Sequence, residues 1–100
     1  MSKIGVDTHY RARSTVAELQ EHIYERMRVD TSTVPVTGEL YGWRRQDVGE
    51  GYIIWGHVHG DTKGRFEPGT FIRTSLVLKI ENDIAVTLNS AYRLVGAELE

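Results

Sequence analysis

Two histidines one residue apart are the clearest candidates for chemistry in this sequence. His57 and His59 flank Val58 in a stretch where apolar and polar residues alternate as in a β-strand. Alternate side chains of a strand point to the same face, so the two Cα atoms would lie about 6.5–7 Å apart. Asp61 follows two residues later, and histidine and aspartate are both ligands for Zn²⁺. His57, His59 and Asp61 are therefore candidate metal ligands, and His9, His22 and Glu67 are the further ligands that such a site would need.

The string His-x-His-x-Asp resembles the metal-binding motif of metallo-β-lactamase-type hydrolases. In that family another histidine directly follows the aspartate, whereas Thr62 occupies this position here. The resemblance implies a metal-dependent hydrolase that uses these three residues, and we keep this function as an alternative. The competing interpretation is a partly exposed sheet face that the histidines share with Ile53 and Trp55. Because only three candidate ligands lie close together in the sequence and structural zinc sites use four, we predict no metal site and no cofactor.

A second cluster combines aromatic and basic side chains around a polar loop at residues 44–51. Its members, which we predict to form a binding site, are Tyr41, Trp43, Arg44, Arg45, Tyr52 and Trp55. Aromatic rings stack on nucleic-acid bases while arginine neutralises phosphate, and the same residue types dominate protein–protein hot spots. The structural alternative is that the two tryptophans anchor the core and that the arginines are solvated.

An amphipathic helix is predicted over residues 16–28, upstream of both clusters. Its apolar stripe consists of Val16, Leu19, Ile23 and Met27. The opposite, polar face carries Glu18, Glu21, His22 and Glu25, which we expect to be solvated. A single apolar stripe predicts that the helix packs by one side only, against a sheet.

Residues 39–96 form short alternating segments separated by turn residues, which predicts an antiparallel meander of four or five strands. Gly56, inside the predicted strand 52–59, indicates a bulge, a bend or a close backbone approach. The longest predicted strand is 71–80. Its predicted inner face is Ile72, Thr74, Leu76, Leu78 and Ile80, and its outer face is Arg73, Ser75, Val77 and Lys79. An exposed Val77 would make that outer face a dimer contact.

The predicted fold is therefore α+β, with the N-terminal helix packed on a strongly bent antiparallel sheet. A small SH3-like barrel is the alternative, because five short strands with a glycine bend can curl on themselves. One hundred residues correspond to a single domain, 1–100. The final dipeptide, Leu99-Glu100, is one that cloning can leave before a tag, so we base no prediction on it.

Composition narrows the classes of function. A net charge of −2 with charges of both signs excludes a strongly basic surface for non-specific nucleic-acid binding. The absence of cysteine removes disulfides and thiolate chemistry. No apolar run approaches the ~20 residues of a membrane span, so we expect a cytoplasmic protein without membrane partners.

The last 45 residues contain two motifs that resemble small uncharacterised proteins of bacteriophages and prophages. The first, G-x-x-I-x-T-S-x-V, spans residues 69–77, and the second, T-x-N-S-x-Y-x-L, spans residues 87–94. The resemblance implies an origin in a bacterial host cell and an accessory factor that binds a host or phage protein. We predict a non-enzymatic interaction module. A second copy of the chain is a further predicted partner. The alternative function is nucleic-acid binding by a small barrel.

Overall fold

The computed structural model describes residues 5–6 and 16–100, which form one helix and a seven-stranded mixed sheet. The elements are β1 (Gly5–Val6), α1 (Val16–Met27), β2 (Gly38–Asp47), β3 (Tyr52–His59), β4 (Thr70–Arg73), β5 (Val77–Glu81), β6 (Ile84–Thr87) and β7 (Ala91–Val95). The strand order is β1-β4-β3-β2-β7-β6-β5. The predicted α+β class, with a helix on a sheet, is confirmed. His9, one of the further candidate metal ligands, lies outside the described residues.

Two antiparallel three-stranded units make up most of the sheet. Strands β2, β3 and β4 form one unit, and β5, β6 and β7 form the other. They join through parallel pairing of β2 with β7, and β1 adds a short parallel edge to β4. The prediction of a purely antiparallel sheet of four or five strands was therefore wrong. The described strands form no closed barrel, since β1 and β5 stand at opposite ends of the strand order.

The predicted long strand 71–80 is divided into β4 and β5 by a break at residues 74–76. The Thr74 hydroxyl accepts a hydrogen bond from the Ile54 backbone N–H at 3.0 Å. In a regular ladder a backbone carbonyl oxygen would accept this bond. A second irregularity follows between Val77 and Lys79. Val77, predicted on the outer face, is consequently only 6% exposed and belongs to the core, so it offers no exposed dimer contact. The predicted inner residues Leu76 and Leu78 are half-buried instead.

The main core lies on one face of the sheet and takes residues from both three-stranded units. Its buried residues are Leu40, Ile54, Val58, Ile72, Val77, Ala85, Tyr92 and Leu94. A smaller cluster on β6 and β7 packs against three valines of the segment that follows α1. The main core takes Ile54 and Val58 from β3 and Ile72 from β4, so the opposite face of these two strands is left to carry a site.

Helix α1 docks by polar contacts as well as by its apolar stripe. Arg26 donates hydrogen bonds to the carbonyl oxygens of Thr87 and Ser90, at 3.1 and 2.7 Å. The His22 ring nitrogen Nε2 lies 2.5 Å from the carbonyl oxygen of Leu88. His22 therefore faces the turn between β6 and β7, and its predicted place on a solvated face was wrong. The physical reason is that unpaired turn carbonyls bind polar side chains that a hydrophobicity pattern assigns to solvent.

Candidate binding face

A β-bulge in β2 determines which side chains of the predicted cluster meet. Tyr41 pairs with His57 and Arg44 pairs with Trp55, so Gly42 and Trp43 stand opposite the single residue Gly56. Gly42 has φ +57°, a conformation that glycine adopts without steric cost. The extra residue moves Tyr41 and Arg44 to the same face of the sheet, although strict alternation would separate them.

That face, which we call the aromatic face, belongs to β2, β3 and β4. It consists of Tyr41, Arg44, Trp55, His57, His59, Phe71 and Arg73, since partners across a ladder point to the same side. Two rows cross the three strands: Arg44–Trp55–Arg73 and Tyr41–His57–Phe71. With a strand spacing of about 4.8 Å, the Cα atoms of the two arginines lie about 10 Å apart with the indole between them.

The rings of the aromatic face are in mutual contact. Trp55 stacks on Phe71 with ring centroids 5.3 Å apart and planes inclined by 17°. His57 lies against the same phenyl ring at 5.0 Å, and Tyr41 meets His59 edge-on at 4.9 Å. Phe71 nevertheless remains 46% exposed. The face therefore presents a preformed aromatic surface to solvent.

Hydrogen bonds orient two of these rings. The Trp55 indole N–H donates to the Gln46 side-chain carbonyl at 2.5 Å. The His57 Nδ1 lies 3.1 Å from the carbonyl oxygen of Gly69. Because a carbonyl oxygen only accepts, Nδ1 is the donor, and only Nε2 of His57 remains for a partner. Such anchoring lowers the entropy that the side chains lose when a ligand binds.

The arginines of the aromatic face are available for an external partner. Within residues 16–100, neither Arg44 nor Arg73 forms a hydrogen bond or an ion pair with another described side chain. A shallow depression of about 450 Å³ lies beside Trp55 and Phe71 and is lined by Arg44. The depression therefore combines an aromatic wall with two guanidinium groups, those of Arg44 and Arg45.

The other half of the predicted cluster lies against the C-terminal segment. Trp43 packs against the core and donates its indole N–H to the carbonyl oxygen of Gly96 at 3.0 Å. Arg45 pairs with Glu98 at 3.0 Å, and its guanidinium also lies over the ring of Tyr52, 5.7 Å from the centroid. The structure thus brings Tyr41, Arg44 and Trp55 to the aromatic face. Trp43, Arg45 and Tyr52 lie on the other face of β2 and β3, although Arg45 also lines the depression beside Trp55.

The Arg45–Glu98 pair affects the ionisation of both groups. The backbone N–H of Arg45, followed by its guanidinium, lowers the pKa of Glu98 from its ordinary value. The same contacts with Glu98 raise the pKa of Arg45. Since both side chains lie near the surface, this pair tethers the C-terminal segment without forming a reactive site.

The three candidate metal ligands do not converge. The Asp61 side chain is only 1% exposed, and its carboxylate accepts hydrogen bonds from the backbone N–H groups of Lys63, Arg65 and Phe66. His57 and His59 lie on the aromatic face, and His22 is bound to a turn carbonyl. Among the described residues, no group of three or more His, Cys, Asp or Glu side chains is placed to hold a metal ion. Asp61 therefore organises the loop at residues 61–66.

Comparisons with protein-family models, with curated proteins and with solved structures each find no match to this sequence. Within the described residues, no helix has the length and apolarity needed to cross a bilayer. The site must therefore be interpreted from its own geometry. Sequence reasoning missed Phe71 and Arg73 as members of it, although alternation along the predicted strand 71–80 does place both on one face.

Proposed function

We propose that this domain is a non-enzymatic interaction module that binds an acidic segment of a partner protein through the aromatic face. The observation that carries the proposal is the open Trp55–Phe71 stack, which is flanked by Arg44 and Arg73; neither arginine forms an ion pair with a described carboxylate. Tryptophan and arginine supply a disproportionate share of binding energy in protein interfaces. Free guanidinium groups select carboxylates, because they bind both oxygens in one plane.

The resemblance of the last 45 residues to phage and prophage proteins adds a setting to this proposal. We suggest that the partner is a host or phage protein in the cytoplasm of a bacterial cell and that the domain acts by covering its surface. This part rests on the two sequence motifs at residues 69–77 and 87–94. The proposed binding chemistry rests on the aromatic face and does not depend on the resemblance to phage proteins.

Binding of single-stranded nucleic acid is the second candidate, favoured by the same stacked rings. Bases stack on exposed aromatic side chains of sheet surfaces, and arginines beside them contact phosphates. The net charge of −2 lowers the general attraction for a polyanion, which is why we favour a protein partner. The two candidates differ in nuclease sensitivity and in the steepness of their salt dependence.

Affinity capture followed by calorimetry tests the proposal. Immobilised wild-type domain and the variants Trp55→Ala, Arg44→Glu and Tyr24→Ala are incubated with nuclease-treated lysates of infected or lysogenic bacteria. Tyr24 is 60% exposed on α1, outside the three strands that carry the aromatic face, and serves as the matched aromatic control. Proteins retained by the wild type and by Tyr24→Ala, but not by the other two variants, are then purified for titration.

We expect Trp55→Ala to weaken binding of the purified partner by about 30-fold or more, which corresponds to the ~2 kcal/mol of a hot-spot residue. Arg44→Glu leaves the folded core untouched, so it separates loss of binding from loss of structure. Retention of the same proteins by all four domains would refute the proposal. A parallel capture from untreated lysate is the comparison: partners retained only without nuclease treatment would refute the proposal and support the nucleic-acid candidate.

A further inference from the structure

An apolar groove separates α1 from the neighbouring end of β3 and from the break between β4 and β5. It encloses about 510 Å³, within the range of about 300–1,000 Å³ found for ligand sites. Its apolar wall is formed by Leu19, Ile23, Ile53, Leu76 and Leu88. The two helix residues among them are only half-buried, so the apolar stripe of α1 is incompletely covered by the described residues.

The groove continues directly into the aromatic face. Ile53 lies two residues before Trp55 on β3 and therefore points to the same side of the strand, about 7 Å away. Arg73 lines the groove and is also the ladder partner of Trp55. The two surfaces are thus one continuous path along β3. It starts as an apolar groove with Glu50 and Arg73 in its lining, and it becomes aromatic with Arg73 and Arg44 as its flanks.

A hydroxyl group at the groove lacks a hydrogen bond. Ser75 lines the groove and is only 5% exposed. Its Oγ is buried and has no hydrogen-bond partner within the part of the chain that the structure describes. Because the oxygen has almost no exposed surface, an occupant of the groove does not contact it, and the apolar wall with its basic flank is what defines the ligand.

From these observations we infer that the groove is an anchor pocket for a bulky apolar side chain of the partner's acidic segment. This inference rests on the proposed function and specifies its ligand. The segment lies along β3, with the apolar residue against Leu19 and Leu88 and its carboxylates at Arg73 and Arg44. The path from Ile53 to His57 covers four residues, or about 13 Å, which an extended peptide of about five residues spans.

Selection from a random peptide library displayed on phage tests this inference. We expect the immobilised domain to enrich peptides that carry a bulky apolar residue within about five positions of acidic residues. A fluorescein-labelled synthetic peptide of the enriched sequence is then titrated by fluorescence anisotropy. Failure to enrich an apolar–acidic motif would overturn the anchor pocket.

Variants separate the anchor pocket from the rest of the face. Leu19→Lys places a charge in the groove, and we expect it to weaken peptide binding at least tenfold. Gln20→Lys, on the exposed neighbouring position of α1, adds the same charge outside the groove and is expected to leave the affinity unchanged. Replacing the apolar residue of the peptide by alanine should abolish the effect of Leu19→Lys, because both changes remove the same contact.

The outcomes also distinguish failure of this inference from failure of the proposed function. Unchanged affinity in Leu19→Lys together with a large loss in Arg44→Glu refutes the anchor pocket alone. Unchanged affinity in Arg44→Glu refutes the proposed function.

Discussion

Replacing Asp61 by alanine should destabilise the fold more than any other single carboxylate change in the described chain. Its buried carboxylate accepts the backbone N–H groups of Arg65 at 2.7 Å, Phe66 at 3.0 Å and Lys63 at 3.2 Å. It also faces the Arg65 guanidinium at 3.7 Å. Without the carboxylate, two partly buried backbone donors lose their acceptor, and the loop loses the group around which it turns.

The expected cost follows from these contacts. A hydrogen bond to a charged acceptor contributes about 1.5–3 kcal/mol, so the two shorter bonds alone predict a loss of about 3–6 kcal/mol. For a domain of this length, 3 kcal/mol corresponds to a fall in Tm of at least about 12 °C. Urea denaturation and thermal melting followed by circular dichroism both measure the loss.

Asp47→Ala is the matched control. The carboxylate of Asp47 also accepts a backbone N–H, that of Gly49 at 2.8 Å, but it lies at the exposed end of β2. We expect it to cost less than about 1 kcal/mol, because water replaces the lost acceptor. A change below 1 kcal/mol in Asp61→Ala as well would refute the assignment of Asp61 as the organiser of its loop.

The same melting experiment addresses the metal alternative. A Zn²⁺ ion bound by His57, His59 and Asp61 would stabilise the native state by about 2.7 kcal/mol at 100 times its dissociation constant. Because the Asp61 carboxylate is already engaged by backbone donors, we expect micromolar Zn²⁺ to leave the Tm unchanged. A rise of several degrees that disappears in His57→Ala would contradict this expectation.

Four further predictions follow from the packing. Arg26→Ala should lower the free energy of unfolding, measured by urea denaturation, by about 1–3 kcal/mol, because α1 loses two hydrogen bonds to turn carbonyls. Arg28 is exposed, so Arg28→Ala should leave this free energy nearly unchanged. Gly56→Ala should lower the free energy of unfolding by about 1–3 kcal/mol, since the added Cβ would lie 3.3 Å from two β2 side chains. An unchanged midpoint of urea denaturation would contradict this close approach. Glu98→Gln should lower the Tm at pH 7, and the difference from the wild type should shrink as the pH falls below 4.5. The pKa of Glu98 is lowered by Arg45, so this stabilisation is complete above the ordinary value of 4.5 and disappears as the pH falls through the folded pKa. Light scattering tests the predicted homodimer, and a molar mass of 11.4 kDa at all concentrations would exclude it.

Local patterns predicted several elements correctly. The predicted strand 52–59 coincides with β3, and the predicted helix 16–28 exceeds α1 by one residue. Both predictions depend on the period of apolar side chains and on nearby turn residues, which are properties of contiguous sequence. The face shared by Trp55, His57 and His59 was predicted for the same reason.

The candidate site could be predicted only in part. Strict alternation puts Tyr41 and Trp43 on one face of β2, but the bulge at Gly42 places Tyr41 beside Arg44 and turns Trp43 towards the core. A bulge forms where its extra residue allows better packing against neighbouring strands, and the neighbours of β2 include β7 from the far end of the chain. No local pattern contains that information.

The sequence by itself determined the α+β class, the helix, the tight antiparallel turns and the residue types available for binding, because these depend on short-range periodicity and turn chemistry. The tertiary structure decided which of those residues meet. Parallel pairing of β2 with β7, the break at residues 74–76 and the docking of α1 on turn carbonyls all join distant segments. Their energies depend on packing and on satisfying backbone groups across the whole fold, so the continuous aromatic face and groove exist only in the folded chain.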